Sequence, residues 1–152
     1  MLDELERDIK TALLAGDKET VETLKGVKTA IQYEAVSKKL KSDNLTSEQI
    51  QAVLMREAKK RQDTADLYKS AGEQERADKE LKEKATIAKY LPEQMDEAKV
   101  AEIVEQEIAR LDSPSIKDMG QIIGAVRAKT AGQADGSLIA KLVRQHLEQT
   151  NQ

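Results

Sequence analysis

The sequence predicts an all-α protein, an N-terminal antiparallel bundle of long helices followed by a small three-helix C-terminal domain. Three observations carry this. Apolar residues recur every three or four positions along the chain and nowhere alternate with period two. Charged residues make up 35% and apolar residues 39%, a balance that suits a soluble helical protein better than a disordered one. Capping residues, glycines and Pro92 punctuate the periodic runs at helix-length intervals. With three tyrosines as the only aromatics, Leu, Ile, Val and Ala must fill the core.

Leu2, Leu5, Ile9 and Leu13 predict a first helix that stops near Gly16. Asp17 caps a second, running to about Leu40 with Val21, Leu24, Val27 and Ile31 inward. Lys38, Lys39 and Lys41 stand at its end, where cations complement the helix dipole. A solvated terminus explains them better than an RNA contact. Ser42-Asp43-Asn44 reads as a turn, and Thr46 with Gln49 as the capping box of a third helix. That helix carries Ile50, Leu54, Ala58, Ala65 and Tyr68 in phase as far as Ala71, with Gly72 as terminator. Arg61 shares the stripe, where its methylenes lie along the core and its head pairs with a carboxylate.

A fourth helix, about Glu75 to Tyr90, places Ala77, Leu81, Ala85, Ala88 and Leu91 inward and sets Glu80 against Lys84 at i, i+4. Pro92 ends it, because proline drives its preceding residue out of the α region. The domain boundary is placed there, giving residues 1–91 and 92–152. A fifth helix runs from Glu97 to Leu111, and Asp112-Ser113-Pro114 breaks it. Ser115, with Asp118 three residues on, caps a sixth helix with Ile116, Met119, Ile122, Ile123 and Val126 inward. After the hinge Ala131–Gly136, Asp135 caps a seventh helix bearing Leu138, Ile139, Leu142, Val143 and Leu147.

The chemistry available is narrow. There is no cysteine, which excludes disulfides, thiolate zinc sites and cysteine nucleophiles. His146 is the single histidine, so no pair of histidines exists to bind metal, and no GxSxG, P-loop or dinucleotide fingerprint occurs. Carboxylates are spread along helix faces, and no two stand out as an acid/base pair. No catalytic residue, cofactor or metal is therefore expected. No run approaches the roughly 20 apolar residues of a membrane span. The charged N-terminus MLDELERDIK makes a cytoplasmic location the expectation. The net charge of −3 argues against a general polyanion binder, although residues 112–152 carry five basic and four acidic groups against 20 and 24 before them.

The best candidate for a working surface is Ser115–Leu147, which holds four of the seven glycines. Lys117, Arg127, Lys129, Lys141 and Arg144 supply cations, and the Gly132-Gln133-Ala134-Asp135-Gly136 loop opens the seventh helix. A helix N-terminus behind a glycine loop suits a phosphate, but Asp135 competes for the same N–H groups. Residue chemistry alone favours a helix–turn–helix packing role over RNA contact. Gly120 and Gly124, four apart, read first as a close crossing by a neighbouring helix and otherwise as a flat face for a partner.

Lys117-Asp118-Met119-Gly120, Gly124, and Gln133-Ala134-Asp135-Gly136 resemble the YqeY family, as do Tyr90-Leu91-Pro92-Glu93-Gln94 and Lys59-Lys60-Arg61-Gln62. From about residue 92 the chain is also similar to the tail of GatB, the tRNA-recruiting subunit of the glutamyl/aspartyl-tRNA amidotransferase. The resemblance implies a GatB-tail-type C-terminal domain and a link to tRNA or to an aminoacyl-tRNA enzyme. The surface would comprise Lys117, Gly120, Gly124, Arg127, Lys129, Gly132, Gln133, Asp135, Gly136, Lys141 and Arg144. It also carries the label of a carbon–nitrogen ligase with glutamine as amide donor, chemistry that resides in other parts of the amidotransferase. Gln121 and Gln133 stand where family members commonly have Lys or Arg. The alternative expectation is a helical protein–protein adaptor acting through the N-terminal bundle.

Overall fold

In a computed structural model, which describes residues 1–150, seven α-helices and two short 3-10 turns make up the regular structure, with no strand among the described residues. The all-α class is therefore the one the chain adopts. Its helices fall into two compact units, Met1–Leu91 and Pro92–Gln152. No described helix is long and apolar enough to cross a membrane.

The first unit holds α1 (Leu2–Leu14), α2 (Lys18–Ser37), α3 (Ser47–Ser70) and α4 (Gln74–Ala88). Asp17 starts α2 by accepting from the Thr20 N–H at 3.1 Å. Thr46 and Gln49 form a reciprocal capping box at the head of α3. Leu5, Leu24, Val27, Ile31, Leu54 and Ile87 are buried together, each contributing roughly 1.5–3 kcal/mol through the apolar surface withdrawn from water. The inner stripe of α2 is as predicted, with Ala35 added. That of α1 is not. Leu13 is 55% exposed and Ala12 is buried instead, because Ala12 lies seven residues from Leu5, about 20° off its face, while Leu13 lies about 80° away. In α4 the predicted Ala85 and Ala88 are exposed and Ile87 is buried, since this helix packs on both α3 and α2 and a single stripe does not describe it.

Three helix ends share one device. After α1, α2 and α3 the chain turns left-handed at Gly16, Lys39 and Gly72, and the next N–H returns to the carbonyl five residues back: Asp17 to Ala12, Leu40 to Ala35, Glu73 to Tyr68. Two of these positions are glycine. Lys39 adopts φ +56° with a Cβ in place. This turn stops α2 at Ser37, three residues before the sequence-based estimate.

The second unit holds α5 (Glu97–Ile108), α6 (Met119–Thr130) and α7 (Gly136–Thr150) around Val100, Val104, Ile122, Val126, Ile139, Val143 and Leu147. Asp96 caps α5, accepting from the Lys99 N–H at 2.7 Å. Ile116–Asp118 forms a 3-10 turn, and Asp118 accepts from both the Ser115 N–H and its hydroxyl, so α6 begins at Met119. Ile116, expected inward, is 51% exposed because it lies on this turn rather than on the helix.

Candidate nucleic-acid interface

The cations expected to face a partner sit on α6, on α7 and on the 3-10 turn before α6, and α5 lies against both helices. Residues 93–112, which contain α5, hold seven acidic and two basic side chains; residues 113–152 hold three and five. Packing α5 on α6 and α7 brings these opposite populations together. Glu107, only 7% exposed, presents an Oε1 out of contact with water. Lys129 Nζ approaches it to 2.5 Å and Arg110 Nη1 to 3.3 Å. The Lys129 ammonium, with Arg110 beside it, holds the Glu107 carboxyl below its usual range despite burial. Lys141 Nζ lies 3.9 Å from Glu97. His146 has Nε2 at 3.1 Å from Glu105 and Nδ1 at 2.9 Å from the Leu142 carbonyl, which makes it a structural tie between α7 and α5.

Lys129 and Lys141 thus already have carboxylate partners on α5, while Lys117, Arg127 and Arg144 are exposed and have none among the described residues. The sequence alone did not separate these two groups, since the carboxylates lie twenty or more residues away in the chain.

The loop from α6 to α7 is held more firmly than its glycines suggest. Ala131 and Gly132 both have positive φ, +46° and +82°. The Gln133 N–H donates to the Thr130 carbonyl at 2.8 Å. The next two bonds come from the segment that enters the unit. Gln94 Nε2 donates to the Gly132 carbonyl at 3.1 Å, and the Met95 N–H to the Gln133 carbonyl at 2.7 Å. Two loop carbonyls are thereby fixed from about 38 positions away, and the expected hinge is a clamped turn. Gln94 and Met95 were not among the sequence-predicted site residues. The only signal for them was Gln94's place in the Tyr90–Gln94 motif. Tyr90 of the same motif donates to the Asp8 carboxylate within the first unit.

Asp135 caps α7, taking the Ser137 N–H at 3.2 Å and the Ser137 hydroxyl. Gly136 opens the helix, and a Cβ there would stand 2.5 Å from Arg127 Nη2, the far end of a flexible side chain. The Arg127 guanidinium occupies that space, so a cation without a carboxylate partner rests against the first residue of α7. Gly120 and Gly124 behave differently. A Cβ at either meets nothing within 4 Å, so the close helix crossing expected from their spacing is absent and their face of α6 is open. No group of three or more His, Asp or Glu side chains among the described residues is placed to hold a metal ion.

A family model described as Yqey-like protein matches residues 2–147. No curated protein matches the chain.

Proposed function

Since the chain belongs to the YqeY family, with the match running through nearly all of it, we propose that it is a tRNA-associated accessory module that works by binding. On this reading it shares the role of the GatB tail its C-terminal part resembles, meets tRNA at the α6–loop–α7 edge, and does not itself perform the carbon–nitrogen ligation attached to the family. The observation that carries the proposal is Arg127 lodged beside Gly136 at the start of α7, where a guanidinium stands against a helix N-terminus whose Ser137 N–H is held by Asp135. Arg144 and Lys117 extend the cationic edge. Gly120 and Gly124 leave a face of α6 that a sugar–phosphate backbone can approach closely. With no aromatic side chain in residues 92–152, contact is with backbone and shape rather than with stacked bases.

The test is a fluorescence-anisotropy titration of labelled tRNA at several salt concentrations, comparing the natural chain with Arg127→Glu/Arg144→Glu. Binding that weakens with salt, and a slope of log K against log salt reduced by roughly one per removed cation in the variant, is expected. Absence of binding at low salt, or a variant that binds equally well, removes the proposal. The acid excess of residues 92–152, ten against seven, favours the second reading, an adaptor for proteins that makes no nucleic-acid contact. A glutamine-dependent amidation assay on charged tRNA, with and without the chain, separates the accessory role from a catalytic one.

A further inference from the structure

Helix α2 carries two faces free of charged residues. One is buried in the core; the other, Gly26, Thr29, Tyr33 and Val36, runs at 3-4-3 spacing and is exposed at every position. Tyr33 is 73% and Val36 71% exposed. A surface helix with a single neighbouring core needs one apolar stripe, and a second at this spacing is the pattern by which helices pack side by side. Beside this face lies a groove of about 480 Å³ between α2, α3 and α4, lined by Gly26, Tyr33, Arg61 and Glu80 among others. Arg61 is held there by Glu57 and Glu83. Glu80 is not paired. Lys84, its expected i, i+4 partner, donates instead to Gln62 at 2.7 Å, and the half-buried Glu80 carboxylate has no cation within ion-pair distance among the described residues.

We propose that this face is the interface of a symmetric dimer, in which the α2 of a second copy of the chain lies antiparallel along it. The order of side-chain sizes selects that occupant. Reversed about its centre, the seam sets Val36 of one copy against Gly26 of the other and Tyr33 against Thr29, large against small at every position, as an isologous contact requires. The two tyrosines enter the two grooves. In the same register the second copy's α2 ends just past Gly26, and the left-handed turn that follows its Ser37 comes toward Glu80, which lines the groove together with Gly26. The residue that arrives is Lys39, exposed and without an ion-pair partner of its own. Lys39 and Glu80 therefore complement each other twice, once on each side of the two-fold axis.

Sedimentation equilibrium of the full chain over a range of concentrations is the first measurement. A reversible dimer is expected, and a chain that stays monomeric up to roughly millimolar concentration overturns the proposal. Tyr33→Glu, at a position exposed in the monomer, should leave the circular-dichroism spectrum unchanged and abolish the dimer; a dimer that survives it uses another face and also overturns the proposal. Lys39→Glu and Glu80→Lys should each weaken association about three-fold or more, and together restore it. Orientation is read by crosslinking, which the absence of native cysteine makes clean. In an equimolar mixture of Thr29→Cys and Tyr33→Cys chains, the mixed disulfide dimer should dominate, whereas predominance of like-with-like products contradicts the antiparallel register.

Discussion

Residues 1–91 hold eighteen acidic and eighteen basic side chains, whereas residues 92–152 hold ten and seven, and the two units use these charges differently. In the first, pairs are spread over several helix contacts: Glu6–Lys28 between α1 and α2, Glu34–Arg56 between α2 and α3, Arg61–Glu83 between α3 and α4. Most are exposed enough for water and salt to weaken them. In the second unit α5 supplies the carboxylates that meet Lys129 on α6 and Lys141 and His146 on α7, and one of them, Glu107, is buried. A positive charge count along α6 and α7 is therefore a poor guide to what a partner meets. The packing of α5 decides which cations remain available.

Four experiments test this contrast, and the most damaging substitutions come first. Leu24→Ala in the first unit and Leu147→Ala in the second each remove a fully buried side chain and should cost about 3–5 kcal/mol. Calorimetry should show each lowering the stability of its own unit; equal loss in both units from either change would mean that they unfold as one. Next, Lys129→Met leaves buried Glu107 with Arg110 alone. A cost of about 2–3 kcal/mol is expected, less than for a fully stranded charge because Arg110 stays. Because the folded Glu107 carboxyl lies below its ordinary value of 4.5, its contribution is complete above that pH and is lost as pH falls through the lowered value. Urea midpoints measured from pH 6 downward should show a smaller acid-side loss in the variant than in the natural chain, the remainder coming from Asp17, Glu19 and Glu34, whose partners also hold them below the ordinary carboxylate range.

The first unit should respond at the other end of the pH scale. Burial and the neighbouring Asp8 carboxylate push the Tyr90 hydroxyl above its ordinary value of 10.0. The stabilisation it gives is complete below that pH and is lost as pH rises toward the folded value. Tyr90→Phe should cost about 1.5–2 kcal/mol at neutral pH and flatten the alkaline loss seen by circular dichroism. The smallest effect separates the helix ends. Lys39→Gly relieves a left-handed side chain and should stabilise by about 0.5–1 kcal/mol, whereas Gly72→Ala, at φ +79°, should destabilise by about 1 kcal/mol. Equal responses in thermal melts would show that the Lys39 turn is not strained.

Much of the architecture was legible in the chain itself. The cap at Asp17, the capping box at Thr46 and the terminator at Gly72 were readable because each depends on neighbours within four residues. The inner stripe of α2 was readable because Val21, Leu24, Val27 and Ile31 follow one three-to-four-residue repeat that faces the core. The structure departs from the sequence at α4, where Ile87 rather than Ala85 and Ala88 is buried, and at Ile116, which lies on a 3-10 turn before α6. In the candidate site, the capping role of Asp135 was visible, but the approach of Arg127 to Gly136 was not, since it depends on where a side chain nine residues earlier lies once α6 and α7 have packed.

Composition and local periodicity by themselves determined that this protein is helical, aliphatic in its core and without cysteine chemistry, because these follow from residue identity and from contacts one or two turns apart. Only the tertiary structure decided that Lys129 and Lys141 face α5 carboxylates while Arg127 does not, that the glycine loop is clamped by Gln94 and Met95, and that Glu80 is left unpaired. Each of those outcomes joins residues far apart in the chain, and their energies depend on distances that exist only once the helices have packed.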